Sequence, residues 1–470
     1  MISIVQLRHT QSFALASPAE PDLAHILHGA SSFVALLIQE RLVAPHQILT
    51  ALKLLNSRHN LVDILIAQGV ISSDAIYGAM ARYWSVGVAD LIQVPPDTRL
   101  TKRVSHITAL REGLLPWRRI GDYTVIVTAY PDEFYRQKRW LEEEFGKVIM
   151  AIAPWQAIEA AMLRSHGKQL SRLAEMRTAA SESCRNYKPA FLRNRAATLI
   201  ATCAIATYFA PIGVLLFFTA LAIFAMFSAN ILKFVSLFGV TEESDDTTPP
   251  IEIAHLPVVS IMVALFREDC IAPRLAARLE KLDYPRELLD ILLVVEAEDH
   301  LTRDALAQTN LPEWMRIIVV PRGEVKTKPR ALNYALDHCR GSIIGIYDAE
   351  DAPEPDQIRK IVTRFYQRGP EVLCLQGRLD YYNPRTNWLS RCFTIEYAAW
   401  FRVFLPGIAR LGVAVPLGGT TVFFRKHALE ELGGWDAQNV TEDADLGMRI
   451  YRHGYRTELV EPTTYEEANC

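Results

Sequence analysis

The sequence predicts an α/β chain in three parts: a small α+β N-terminal domain, a transmembrane helical hairpin, and a larger domain built on a mostly parallel sheet. Three observations predict it. Residues 33–53 repeat at 61–81 with helical spacing of their apolar positions, residues 196–232 carry no charge, and from residue 257 apolar runs alternate with helical segments. Half of the residues are apolar and the formal net charge is −3, which argues against nucleic acid as a partner. The seven cysteines are scattered with no CxxC pair, which points to reduced thiols rather than a disulfide framework or a zinc site. The opening "MISIVQLRHTQSF" has no basic region followed by an apolar run, so no cleaved signal peptide is expected.

After a tail at 1–29, "FVALLIQERLVAPHQILTALK" (33–53) aligns with "LVDILIAQGVISSDAIYGAMA" (61–81). Apolar residues coincide at Leu37/Leu65, Val43/Ile71 and Ile48/Ile76 among others, each copy reading as helix, turn, helix, with Ser72 as a cap in the second. Two copies are too few for a solenoid, so a compact helical pair is expected. "YTVIVTAY" (123–130) reads as a strand, and 131–165 as a small α/β remainder. "QKRW" (137–140) reads as a helix surface.

A basic linker, 166–195, carries Arg172, Arg177, Arg185, Lys188, Arg193 and Arg195 into the uncharged stretch. As one helix, residues 196–232 would run about 55 Å, against roughly 30 Å of hydrocarbon. Split at Pro211 and Gly213 they make two short spans, so 196–240 is expected to be a transmembrane hairpin. The basic flank keeps the N-terminal part cytoplasmic by the positive-inside rule.

Beyond it, "VVSIMVALF" (258–266), "LDILLVVEA" (289–297), "MRIIVVP" (315–321) and "SIIGIYDA" (342–349) read as buried strands with helices between. Ligands bind at the carboxyl ends of such strands, and two of those ends carry acids: Glu296, and Asp348 with Glu350. Alternate acids at a strand end offer hard oxygens suited to Mg²⁺ or Mn²⁺. The stretch 420–456 adds Asp436, Glu442, Asp443 and Asp445 around a polar turn. Asn439 or Thr441 can cap a helix there, Leu446 and Ile450 can face a core, and Gly454 can stop it.

"VSIMVALFRED", "VVEAEDHLT", "KTKPRALNYAL", "YDAEDAPEPD", "PLGGTTVFFRKHALEELGGWD" and "TEDADLGMRI" occur in that order. Together they resemble family 2 glycosyltransferases of the GT-A (Rossmann-like) fold, most of all the membrane-embedded cellulose and hyaluronan synthase relatives, over 250–470. The resemblance implies that Ala264 and Glu268 line a uridine pocket, that Glu296 faces the base, and that Lys328 lies by the diphosphate. It further implies that Asp348 and Glu350 hold the metal, that Gly418, Gly419 and Thr420 lie beside the acceptor, and that Asp443 is the general base. Glu296 and Glu350 stand where the family more often has aspartate. Residues 30–165 resemble the N-terminal domain of type II secretion ATPases, some of which bind cyclic di-GMP through "RLGxxL" repeats. Here Ser32-Phe33-Val34 and Asn60-Leu61-Val62 stand at those places, so the bidentate arginine contacts are missing and a scaffold or docking role comes ahead of cyclic di-GMP.

These readings imply a multi-pass protein of the bacterial inner membrane, its N-terminal and catalytic domains cytoplasmic. It would move a sugar from a UDP-sugar, best guessed as UDP-glucose, to a β-linked exopolysaccharide or a glycolipid. Processive relatives carry a QxxRW helix after the last motif, whereas this sequence stops at Cys470 without one. A truncated, impaired chain is therefore the expectation. A catalytically silent receptor or regulatory subunit with the same fold is the alternative.

Overall fold

The computed structural model describes residues 33–467 apart from 55–59, 106–108, 111, 187–188, 241–252, 254, 269–271, 310 and 313. The tail at 1–29, Ser32 and the acidic stretch after 240 lie outside the described residues. The chain forms two compact units, Met1–Ala89 and Asp90–Cys470, a division that falls inside the 30–165 segment.

In the first unit, α1 (Pro45–Leu54), α2 (Leu61–Ala67) and α3 (Ser73–Trp84) follow a helical turn run at 33–39. Leu37/Leu65, Val43/Ile71 and Ile48/Ile76 are buried in both copies of the repeat. Asn60 caps α2 by accepting from Val62 N at 3.1 Å, and Ser72 caps α3 from Ala75 N at 3.4 Å. Each copy turns on a left-handed residue at the same place, Arg41 (φ 56°) in the first and Gly69 (φ 65°) in the second.

The second unit opens with a three-stranded sheet. β1 (Leu114–Ile120) and β2 (Tyr123–Thr128) pair antiparallel, and β3 (Lys147–Ile152) joins β2 in parallel after the crossover helix α4 (Pro131–Phe145). The "QKRW" residues lie on α4, where Lys138 and Arg139 pair with Glu142 and Glu143. Next comes α5 (Trp155–Glu175), which packs on the larger sheet domain rather than hanging from it. Arg316 and Arg340 lie 4.6 and 5.0 Å from the Trp155 ring, and Glu159 meets His338 and Arg316. Past α5, Arg177 pairs with Asp337 at 2.8 Å, and Thr178 Oγ1 donates to Trp435 O at 2.9 Å.

Two helices follow, α6 (Pro189–Phe209) and α7 (Pro211–Val240), broken at Ala210. Pro211 supplies no N–H and pushes the residue before it out of the helical region. The backbone bonds Ala210 N to Ala206 O (2.8 Å) and Val214 N to Ala210 O (3.0 Å) therefore close one helix and open the next. Among the described residues, one helix is long and apolar enough to cross a membrane, Pro211–Leu237, and its most apolar stretch is exposed. Of the two spans expected for a hairpin at 196–240, one reaches that length and apolarity. Arg193 and Arg195 occupy the first turns of α6, so that arm falls short of the same measure.

The sheet domain contains β4 (Val259–Leu265), β5 (Leu289–Glu296), β6 (Met315–Val320), β7 (Ile343–Tyr347), β8 (Ala352–Pro353), β9 (Val372–Tyr381), β10 (Val422–Arg425) and β11 (Arg456–Glu466). Their order is β6-β5-β4-β7-β10-β9-β11-β8. The half β6-β5-β4-β7 is parallel, as the apolar runs required, while β10 runs antiparallel to both β7 and β9. The whole is thus a mixed, GT-A-like sheet. Alternate residues of β4 feed two separate cores, Val259, Ile261 and Val263 on one face and Met262 on the other. On the sheet's flank lie α8 (Lys328–Leu336), α9 (Trp388–Ala399), a π-helical turn at Trp400–Phe404, α10 (Leu405–Arg410) and α11 (Glu442–Arg452).

Candidate functional site

β7 ends on Tyr347, and the residue after it, Asp348, is pinned by its backbone: its N–H donates to Asp351 Oδ2 at 2.8 Å and to Thr420 Oγ1 at 3.2 Å. Thr420 in turn donates to Asp351 and is buried, as is Asp351. Burial pushes the Asp351 carboxyl well above the ordinary carboxylate range, in keeping with an acid whose Oδ1 is buried without a hydrogen-bond partner. The Asp348 carboxylate stays partly exposed at the strand end.

It meets Lys328 there. Thr327 is extended and Pro329 fixes the first turn of α8, which sets Lys328 at the helix start. Its Nζ lies 2.5 Å from Asp348 Oδ1 and 3.2 Å from Gly419 O. Burial works against the ammonium, but Asp348, Asp443 and Glu442 more than offset it and hold its pKa above the usual lysine value.

Asp443 sits in the first turn of α11, whose core contacts are Leu446 and Ile450, as the spacing predicted. Asn439 turns the chain by accepting from Thr441 N at 3.0 Å, and Gly454 (φ +81°) follows the helix end. Gly419 has φ +80°, and a Cβ on it would stand 2.8 Å from Asp443 Oδ2, so both its backbone and the space require glycine. Burial, with help from Glu442 and Asp348 and against Lys328, pushes the Asp443 carboxyl up to about 7. Burial likewise raises Glu442.

The other two acids of this stretch serve structure. Asp445 pairs with Arg449 at 2.9 Å, and the buried Asp436 accepts from Ser183 Oγ and Cys184 N at 2.8 and 2.7 Å.

Glu466, which the sequence reading passed over, closes β11 beside Tyr381 of β9. Burial, then Asp348 and Glu350, push its carboxyl up to about 7. Its only signal in the sequence was an acid ending a threonine-rich run. Asp348, Glu350, Glu442, Asp443 and Glu466 therefore share one electrostatic neighbourhood with Lys328.

The expected uridine side is less uniform. Ala264 is half-buried near the end of β4, and Glu268 N donates to Thr302 Oγ1 at 2.8 Å. Glu296 ends β5, but its carboxylate is engaged by the fully buried Arg330, a residue not singled out from sequence. Gly418 N donates to Gln376 Oε1 at 2.8 Å, and a Cβ on Gly418 would stand 2.9 Å from the Phe401 ring.

As to a metal, no three His, Cys, Asp or Glu side chains among the described residues stand close enough to hold one unaided. The donor chemistry still fits. Asp348 and Glu350 are hard oxygen donors, their field raises Glu466, and a cation that takes substrate phosphate oxygens needs few protein ligands.

Residues 257–468 match the family model described as glycosyltransferase like family 2. The beta-monoglucosyldiacylglycerol synthase of Synechocystis sp. is 29% identical over 258 residues, covering 52% of this chain and 51% of that protein. The chain thus spans about half the length of the curated relatives it matches. Among solved structures, the mannosyltransferase PcManGT from Pyrobaculum calidifontis, in complex with GDP-Man and Mn²⁺, superposes with a TM-score of 0.40 at 23% identity over 51% of this chain and 65% of that one. MshE superposes with a TM-score of 0.26 at 25% identity, over 28% of this chain and 97% of that one.

Proposed function

We propose that this chain, which carries a family 2 glycosyltransferase domain at residues 257–468, is an inverting transferase that moves a sugar from a UDP-sugar to an acceptor at the membrane surface. The observation that carries the reading is the meeting of Lys328, Asp348 and Asp443 around Gly419. Asp443 takes the proton of the acceptor hydroxyl as that oxygen bonds the anomeric carbon. The bond from that carbon to the diphosphate breaks, and UDP leaves with the electron pair. A carboxyl at about 7 is a stronger base than an ordinary aspartate and still about half ionised at neutral pH. The Lys328 ammonium places a positive charge beside the developing diphosphate. Asp348 and Glu350 would hold Mg²⁺ or Mn²⁺, which supplies further positive charge to the leaving group.

Two features support an acceptor delivered from the membrane. The Gly418 backbone beside Gly419 rests on Phe401, the helix before Phe401 exposes Trp388 and Ile395, and the segment just after α10 exposes Val413. Ser236 of the apolar helix α7 is buried where Gly407 of α10 has no side chain. The base thus stands within a few residues of a surface continuous with a membrane-length helix, which suits a glycolipid or the end of a β-linked exopolysaccharide.

Both ends of the α6–α7 run are fastened to the sheet domain, by Ser183 and Cys184 on Asp436 before it and by Ser236 within it. An even number of crossings, with the bend at Ala210, suits that arrangement, with both flanks on the cytosolic side of a bacterial inner membrane where nucleotide sugars are made. For the residues before α5 the reading is a scaffold or docking role, with cyclic di-GMP as the alternative ligand.

The test uses the full chain in nanodiscs with labelled UDP-glucose, Mg²⁺, and either diacylglycerol or oligosaccharide acceptors. Transfer that vanishes in Asp443→Asn while UDP still binds supports the reading. UDP binding with no transfer to any acceptor would favour the silent, regulatory alternative.

A further inference from the structure

The loop 321–327 joins β6 to α8 and ends at the lysine beside Asp348. It is not held by its own domain alone. Glu175, the last residue of α5, accepts from Glu324 N at 2.7 Å and from Val325 N at 3.3 Å through one carboxylate oxygen. One turn earlier, Ser171 Oγ accepts from Arg330 Nη1 at 2.8 Å. The same guanidinium donates to Pro321 O at 2.9 Å and engages Glu296 at the end of β5. Ser171, Glu175 and Arg330 are all buried. Gly323 closes the arrangement, since a Cβ on it would overlap Arg330, Glu175 and Ser171 together. At its far end the loop is tied by Thr327 Oγ1, which donates to Ala437 O at 2.8 Å.

We propose that Glu175 and Ser171 are positioning residues for the donor-binding loop, so that the α/β segment preceding the membrane helices builds part of the nucleotide-sugar site. A surface contact between domains would place side chains against side chains. Here a buried carboxylate satisfies two backbone N–H groups of the loop that delivers Lys328, and a buried hydroxyl orients the arginine that holds Glu296. Removing Glu175 leaves those two N–H groups unpartnered and frees the loop to drift from the position that puts Lys328 against Asp348. The inference rests on the donor assignment proposed above.

The experiment uses the full chain in nanodiscs, with UDP and Mn²⁺ as the probe in calorimetry and UDP-glucose in initial-rate assays. Glu175→Ala is expected to raise the UDP Kd and the donor KM roughly tenfold, with any fall in kcat smaller than that of Lys328→Met. Glu175→Gln, whose amide oxygen accepts the same two bonds, should bring both back near the wild-type values. Ser171→Ala, a smaller change that serves if Glu175→Ala does not fold, should raise the Kd about threefold. Wild-type Kd and KM in the folded variants would overturn the proposal, as would a loss confined to kcat. Should the wild-type chain itself not bind UDP, the donor assignment falls and the positioning is read by hydrogen exchange. Faster exchange at Glu324 and Val325 in Glu175→Ala, restored in Glu175→Gln, upholds it, and unchanged exchange overturns it.

Discussion

Lys328 Nζ stands 2.5 Å from Asp348 Oδ1, so one half-buried ion pair ties the start of α8 to the end of β7. The same ammonium reaches the carbonyl of Gly419, whose turn carries the backbone against Asp443. On the proposed assignment, the donor side and the acceptor side meet at a single lysine. Its charge is balanced by acids on two strand ends and one helix start, which is why the ionisation of Asp443 and of Glu466 depends on burial and on those neighbours.

Breaking the pair from either side should be costly in binding. Asp348→Ala is expected to abolish the part of UDP binding that needs Mg²⁺, because it removes a charged oxygen donor. Lys328→Met should lower kcat/KM by about 10²–10³ through loss of charge at the diphosphate. Titrations with and without EDTA check the first and initial rates the second. UDP affinities that do not respond to EDTA in either the wild type or Asp348→Ala would remove the metal assignment.

Gly419→Ala joins a strained backbone to a direct collision. At φ +80° an alanine costs on the order of 1–2 kcal/mol in backbone strain, and its methyl would sit 2.8 Å from Asp443 Oδ2. Displacing the carboxylate by even 1 Å should cost about a hundredfold in kcat, with UDP affinity much less affected. A variant with wild-type kcat would show that Asp443 does not work from the position seen here.

The helical repeat supplies a prediction about stability. Arg41 occupies the left-handed position that Gly69 fills in the second copy, and nothing within 4 Å would crowd a side chain at Gly69, so the conformation and not the space favours glycine. Arg41→Gly should stabilise the first unit by about 1 kcal/mol. Slower hydrogen exchange at residues 37–52 of the full chain would register it. Faster exchange would mean that the greater freedom of glycine in the unfolded chain outweighs the relief of strain.

How much of this was legible in the sequence depended on how local the cause was. Asp348 could be read because an apolar strand runs straight into it, and Asp443 because a polar turn precedes a helix with Leu446 and Ile450 on one side. Glu466 could not, because its role comes from β11 pairing beside β9, far away in sequence, and from burial that no local pattern announces. Arg330 was hidden differently. It lies on α8, every residue of which after Lys328 is buried, so helical spacing gave no face to distrust. The antiparallel β10 was missed because it is a four-residue strand buried between partners fixed only by the fold. The apolar stretch was legible as helix with a break at Pro211. The anchoring of its two flanks on one domain came only from contacts at Asp436 and Gly407.

The last prediction concerns pH, and its two parts have opposite signs. As a base, Asp443 must be ionised to take a proton. With its carboxyl at about 7, kcat/KM should rise close to tenfold per pH unit up to about pH 7 and level off above it. Stability goes the other way. An unfolded aspartate has a pKa near 3.9, so between about pH 4 and pH 7 the folded chain holds a proton that the unfolded chain has released. Folding stability from this group is therefore fully present below about pH 4 and is lost as pH rises through about 7. Asp443→Asn, neutral at every pH, should thus be inactive yet more stable than the wild type at pH 8, by on the order of 2 kcal/mol, and no more stable at pH 4. Glu466→Gln should show the same stabilisation at pH 8 for the same reason, since its carboxyl is also held at about 7 by burial and by Asp348 and Glu350. Thermal melts of both variants at pH 4 and pH 8, beside a rate profile from pH 5.5 to 8.5 in the wild type, test the pair of claims together. A flat rate profile with no gain in melting temperature at pH 8 would mean that Asp443 is an ordinary, solvated carboxylate, and its assignment as the base would lose its physical ground.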